Sequence, residues 1–138
     1  VKGNGQSYYT DVNVTPTGKV YATLGSDGGG KGIWRSADGI TFTDITPPNF
    51  PTTYDRIVSG YAPSNENIIY VGEGEDTMRG NVAEGLDGMW KSEDGGKTWK
   101  NIGLKDTRHI TNIVIHPNDP NTVWAGVMGH VFPPSVVL

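Results

Sequence analysis

Ten short apolar or alternating runs, a repeat of about 50 residues and an excess of glycine predict an all-β chain built of β-propeller blades, each a four-stranded antiparallel sheet. The 138 residues include 20 Gly, 9 Pro and no Cys. No stretch sustains an apolar period of 3.6 residues over two turns, which excludes amphipathic helices. The runs fall at Tyr8 to Val14, Lys19 to Leu24, Gly32 to Ser36, Thr41 to Ile45 and Arg56 to Ala62. They continue at Ile68 to Gly72, Gly88 to Ser92, Thr98 to Ile102, Ile110 to His116 and Thr122 to Val127. Gly, Pro, Asn and Asp bound each of them, as turn residues do. The glycine excess is read as supply for these turns.

Each run earns its place through the repeat. Val14-Thr15-Pro16-Thr17-Gly18-Lys19-Val20-Tyr21 matches Tyr61-Ala62-Pro63 through Ile69-Tyr70, and again Ile115-His116-Pro117 through Val123-Trp124. Each copy is a strand, a polar turn with proline, and a second strand carrying an aromatic. The prolines at 16, 63 and 117 stand 47 and 54 residues apart. Between them Gly32-Ile33-Trp34-Arg35-Ser36-Ala37-Asp38-Gly39 matches Gly88-Met89-Trp90-Lys91-Ser92-Glu93-Asp94-Gly95. A fourth strand follows at Phe42 to Ile45 and at Trp99 to Ile102. The chain divides into blade one at 8–48, blade two at 54–104, a half blade at 109–128 and a tail at 129–138. That makes about two and a half blades, whereas propellers close with about four to eight. A blade cannot bury both faces alone. Three outcomes follow: assembly of copies, completion by the rest of a propeller, or collapse of the sheets into a sandwich. Assembly is the favoured expectation, a ring completed by oligomerisation, with Val136-Val137-Leu138 free to add as a strand to a neighbour.

Composition removes other classes. Eleven basic against fifteen acidic residues give a net charge of −4, without the footprint of a nucleic-acid binder. No apolar run approaches the roughly 20 residues of a membrane-spanning helix. Without Cys there is no disulfide or thiolate–metal framework. Gly25 to Lys31 has the G-x-x-x-x-G-K spacing, but Gly32 stands where Ser or Thr should bind magnesium and a strand follows, so it reads as a hairpin loop. Asn13-Val14-Thr15 is a glycosylation sequon that matters only in a eukaryotic secretory host.

The turn after the third strand resembles a known motif. Ser92-Glu93-Asp94-Gly95-Gly96-Lys97-Thr98-Trp99 fits the Asp-box, or BNR repeat, S-x-D-x-G-x-T-W. Ser36-Ala37-Asp38-Gly39-Ile40-Thr41-Phe42 is similar, one residue shorter and with Phe for Trp. From Asp55 to His130 the text resembles bacterial sortilin (Vps10)-like BNR proteins, through Val71-Gly72-Glu73-Gly74-Glu75, Leu104 to Ile110 and Gly126 to His130. Residues 9–63 resemble another branch of secreted BNR proteins, as in a chimera or an engineered fragment. The resemblance implies a propeller fold and a secreted, extracellular bacterial origin. It also implies that Ser36, Asp38, Gly39, Phe42, Ser92, Asp94, Gly96, Thr98 and Trp99 are structural residues on an outer rim. Physically, Ser and Asp oxygens can accept the amides of a tight turn, Gly can take positive φ, and the aromatic is expected to bury against the next strand pair. Val1 opens no signal peptide, as expected of a mature or excised segment.

For chemistry, the longest insertion, Glu73 to Asp87, is the best candidate. Glu73, Glu75, Asp76, Arg79, Glu84 and Asp87 are its candidate ligand-binding residues, for a glycan, a protein or calcium; the spacing fits no EF-hand. A sialidase-like site would need three convergent arginines, and the chain has only Arg35, Arg56, Arg79 and Arg108, with Arg35 beside the box and facing the rim. No Tyr–Glu nucleophile pair is recognisable. His109, His116 and His130 lie near strand ends, where His109 and His130 can approach each other, but no third metal ligand is marked. No catalytic or metal residue is assigned. The functional reading is a non-catalytic module for self-assembly or binding; the alternative is part of a secreted, glycan-active Asp-box enzyme of glycosidase type.

Overall fold

The computed structural model describes residues 9–25, 30–52, 54, 56–73, 88–104 and 109–127, apart from the side chains at 9 and 10. Its elements are all strands. The first sheet pairs β1 (Tyr9–Val14), β2 (Val20–Leu24), β3 (Gly32–Ser36) and β4 (Phe42–Asp44) in chain order, every neighbour antiparallel. The second repeats that order with β5 (Ile57–Ala62), β6 (Asn65–Glu73), β7 (Met89–Ser92) and β8 (Lys100–Gly103). A third, two-stranded sheet pairs β9 (Ile110–Ile115) with β10 (Val123–Val127).

Local chemistry explains these spans. The β1–β2 turn closes on Thr15, whose carbonyl accepts the Gly18 amide at 2.9 Å while its own amide donates to the Lys19 carbonyl at 2.9 Å. Gly18 sits at φ +87°, a region an L side chain enters only with strain. Most boundaries lie one or two residues from the expected runs, and the largest shift is at β6, which starts at Asn65 rather than Ile68. Ala62 pairs directly with Asn65 across Pro63-Ser64, so the ladder begins on polar residues at the sheet's edge that apolar patterning does not register.

Side-chain alternation makes the middle sheet a wall between two cores. Ile57, Ile69, Val71 and Trp90 face the first sheet, where they meet Tyr21, Ile33, Ile45, Phe50 and Tyr54. Val58, Ala62, Ile68, Tyr70 and Met89 face the third, where they meet Ile110 and Ile113. Phe50 links the rings of the first core, edge-on to Tyr54 at 5.4 Å and tilted on Trp90 at 5.6 Å.

Not every glycine serves a turn, as the sequence suggested. Gly60 and Gly72 lie inside β5 and β6, where a Cβ would stand 2.7 Å from Ile115 Cδ1 and 2.7 Å from Ile110 Cγ2 respectively. The third sheet approaches the second closely at both points, against the tip of Ile115 at Gly60 and against Ile110 down to its Cβ at Gly72, where glycine is the residue that fits.

Polar bonds stitch the sheets together. The Ser59 amide donates to Asp11 Oδ2 at 2.8 Å, and Asn13 Nδ2 donates to Ser59 Oγ at 2.9 Å. Thr23 Oγ1 donates to the Ile57 carbonyl at 2.9 Å inside the first core.

Candidate functional site

The two acidic turns are built alike. In the β7–β8 connection, Asp94 Oδ1 accepts the amides of Lys97 at 3.0 Å and Thr98 at 2.9 Å, and the Ser92 hydroxyl at 2.9 Å. Its Oδ2 accepts the Thr98 hydroxyl at 2.6 Å, and Ser92 Oγ accepts the Gly96 amide at 2.8 Å. Gly95 and Gly96 take φ of +73° and +89°. In the β3–β4 connection, Asp38 Oδ1 accepts the amides of Ile40 at 2.8 Å and Thr41 at 2.7 Å, and Ser36 Oγ accepts the Gly39 amide at 2.9 Å. The turn that is one residue shorter needs one glycine at positive φ, Gly39 at +74°.

These bonds favour the ionised carboxylates. The Thr98 hydroxyl and amide hold Asp94 down to about 2, and the Thr41 and Ile40 amides hold Asp38 well below the usual carboxylate range. Both carboxylates are thereby committed to their own turns.

Trp99 differs from expectation. Its indole nitrogen donates to the Ile45 carbonyl at 2.7 Å, and the ring packs on the first core rather than on a following strand pair. The β7–β8 turn lies beside the chain leaving β4, so the nearest apolar surface belongs to the preceding sheet. Arg35 spans the same joint: its Nη1 donates to the Gly95 carbonyl at 2.7 Å. Together they border an open groove of about 470 Å³ whose walls include Asp44, Thr46, Pro47 and Lys97. The groove combines an aromatic ring, two proline rings and charges of both signs. The groove is not legible in the sequence, because its walls come from residues about 50 positions apart.

Glu73 is the last residue of β6 rather than the start of a loop, and it is buried. Its amide donates to the Gly88 carbonyl at 3.1 Å. Across the first core, the Tyr54 phenol is pushed above its ordinary range, first by burial and then by the charges of Asp44 and Glu73. Glu75, Asp76, Arg79, Glu84 and Asp87 lie outside the described residues, as do His130 and the tail. His116 serves its own turn: Nδ1 accepts the amides of Asn118 at 3.2 Å and Asp119 at 3.1 Å. Among the described residues no three His, Asp or Glu side chains gather to hold a metal ion.

No family model and no curated protein sequence matches the chain. Among solved structures it is similar to a GH74 xyloglucanase from Xanthomonas campestris, with a TM-score of 0.63 and 18% identity over 90% of this chain. The likeness covers 20% of that enzyme's chain, so the present chain spans about a fifth of its length. At this identity the likeness concerns fold. With the repeated four-stranded antiparallel sheets, it defines the class: an all-β chain with the architecture of a partial β-propeller.

Proposed function

We propose that this chain is a non-catalytic propeller module of the Asp-box kind, similar to sortilin-like BNR proteins of secreted bacterial origin, and that it works by self-assembly and binding. One observation carries the reading. The outer sheets turn apolar side chains to solvent at both ends of the stack, Val12 and Val14 on β1, and Val114 and Trp124 on β9 and β10. Exposed apolar pairs on the faces of repeat units mark places where a further unit stacks. The committed carboxylates of Asp38 and Asp94 support the non-catalytic part, since each already satisfies its own turn. Light scattering tests the reading, run beside a glycan array and chromogenic glycosides. The expected result is a multi-copy species without turnover; a monomer that hydrolyses glycosides overturns it.

A second reading, part of a glycan-active enzyme, draws on the fold likeness to a xyloglucanase and on the buried Glu73 at the end of β6. Turnover abolished by Glu73→Gln, with the fold retained by circular dichroism, would favour it. Absence of turnover in the parent chain removes it.

A further inference from the structure

The two joints inside the molecule follow one rule. Between the first and second sheets, the Tyr21 hydroxyl donates to the Glu66 carbonyl at 3.1 Å. Between the second and third, the Tyr70 hydroxyl donates to the Pro120 carbonyl at 2.7 Å. The acceptors occupy one repeat position: Glu66 stands four residues before Tyr70, and Pro120 four before Trp124. Each sheet therefore offers an aromatic donor from its second strand to the chain that enters the second strand of the next sheet, at Glu66 in the start of β6 and at Pro120 before β10. Trp124 is the third such aromatic. It pairs across its sheet with Val114, as Tyr70 pairs with Gly60 and Tyr21 with Asn13. Tyr21 and Tyr70 are 1% and 3% exposed, whereas Trp124 is 55% exposed. Four residues before Tyr21 is Thr17, in the β1–β2 turn at the opposite end of the stack.

The packing positions follow the same rule with compensated size. At the second joint Gly60 leaves room for Ile113 and Ile115. The equivalents at the free ends are Val114 for Gly60, and Val12 and Val14 for the two isoleucines. Where glycine becomes valine on one face, both isoleucines become shorter valines on the other. Three carbons gained on one face are thus largely offset by two methylenes lost on the other, the direction a close-packed joint requires.

We propose that the outer face of β9–β10 seats head-to-tail on the outer face of β1–β2 in a second copy of this chain, with Val114 between Val12 and Val14. The Trp124 indole N–H then donates to the Thr17 carbonyl of that copy. This rests on the assembly reading above and gives it a register. The joint is heterologous, so two copies bring four four-stranded and two two-stranded sheets into one ring, about five blade equivalents, within the roughly four to eight with which propellers close.

The test uses light scattering on the 138-residue chain and two variants of exposed residues, Trp124→Ala and the double variant Val12→Lys, Val14→Lys. The parent is expected at a multiple of 14.8 kDa, and each variant near 14.8 kDa with its circular dichroism retained. Mixing the two variants is expected to restore a two-copy species, because each keeps the face the other has lost. A face-to-face contact of like surfaces would show no such rescue and would overturn the proposal. A multi-copy parent whose variants stay multi-copy overturns this register while leaving the assembly reading intact. A monomeric parent, whose end faces another protein would have to cover, overturns both.

Discussion

Asp94 owes its place to neighbours at most four residues away, Ser92, Lys97 and Thr98. Such a turn is legible in a sequence because spacing alone brings its partners together. What Trp99 does is not legible in the same way: its acceptor, the Ile45 carbonyl, lies 54 residues earlier and is reached only after the sheets stack. The turn predicts a pH response whose sign can be worked out. Folding lowers the Asp94 value from the ordinary 3.8 to about 2. Between those values the unfolded chain binds a proton that the folded chain refuses. The contribution is fully present above about pH 4 and is lost as pH falls through about 2. The Asp94→Asn variant is expected to melt at a lower temperature at neutral pH and to show a shallower decline between pH 4 and 2. Thermal melts followed by circular dichroism across that range check it; parallel declines in parent and variant would detach the turn from the acid response. Asp38, lowered by its own turn amides, keeps a share of the decline in both proteins.

At the scale of elements, period-two alternation marks the ten strands well because most carry one or both faces into a core. It fails at the start of β6, where Asn65, Glu66 and Asn67 extend the ladder with polar side chains. It also places Gly60 and Gly72 in strands without a reason for their size, since a residue kept small for a neighbour's approach has no signature until that neighbour is in place. Gly72 is the sharper case: a Cβ there would stand 2.7 Å from Ile110 Cγ2 and 2.9 Å from Ile110 Cβ. Gly72→Ala is expected to push β9 away from β6 and to destabilise the chain by about 1–3 kcal/mol, the usual range for overpacking. Ile110→Ala removes the nearest of those atoms and, alone, costs about 2–5 kcal/mol through the cavity it leaves. Together the two changes are expected to cost less than their sum, because each relieves the other's defect. Urea denaturation of the four proteins closes the cycle, and strict additivity would mean that the two residues do not share a contact.

The whole molecule is a stack of three sheets whose joints differ in kind. The first joint combines an apolar core and the Tyr21 hydroxyl with the Asp11–Ser59–Asn13 bonds, the Thr23 bond, the Arg35 clamp and the Lys19–Glu66 ion pair at 3.6 Å. The second relies on its apolar core, the Tyr70 hydroxyl and the Lys91 bond to Asn121 at 2.8 Å. The repeat count was readable from proline spacing, but this difference was not, because the polar ties join residues about 30 to 60 positions apart. It has a consequence for how the stack opens. Within one copy, two strands with one core face bury less than four, and β10 pairs on one side only among the described residues. The β9–β10 hairpin should therefore separate from β5–β6 before either four-stranded sheet opens. In native-state hydrogen exchange of the single-copy Val12→Lys, Val14→Lys variant, the slowest amides of β9 and β10 are expected to exchange at least about tenfold faster than those of β2, β5 and β6, a gap of about 1.4 kcal/mol in opening free energy. Equal protection throughout would show that the half sheet belongs to the same cooperative unit as the other two, held there by more than the core and the two bonds of the second joint.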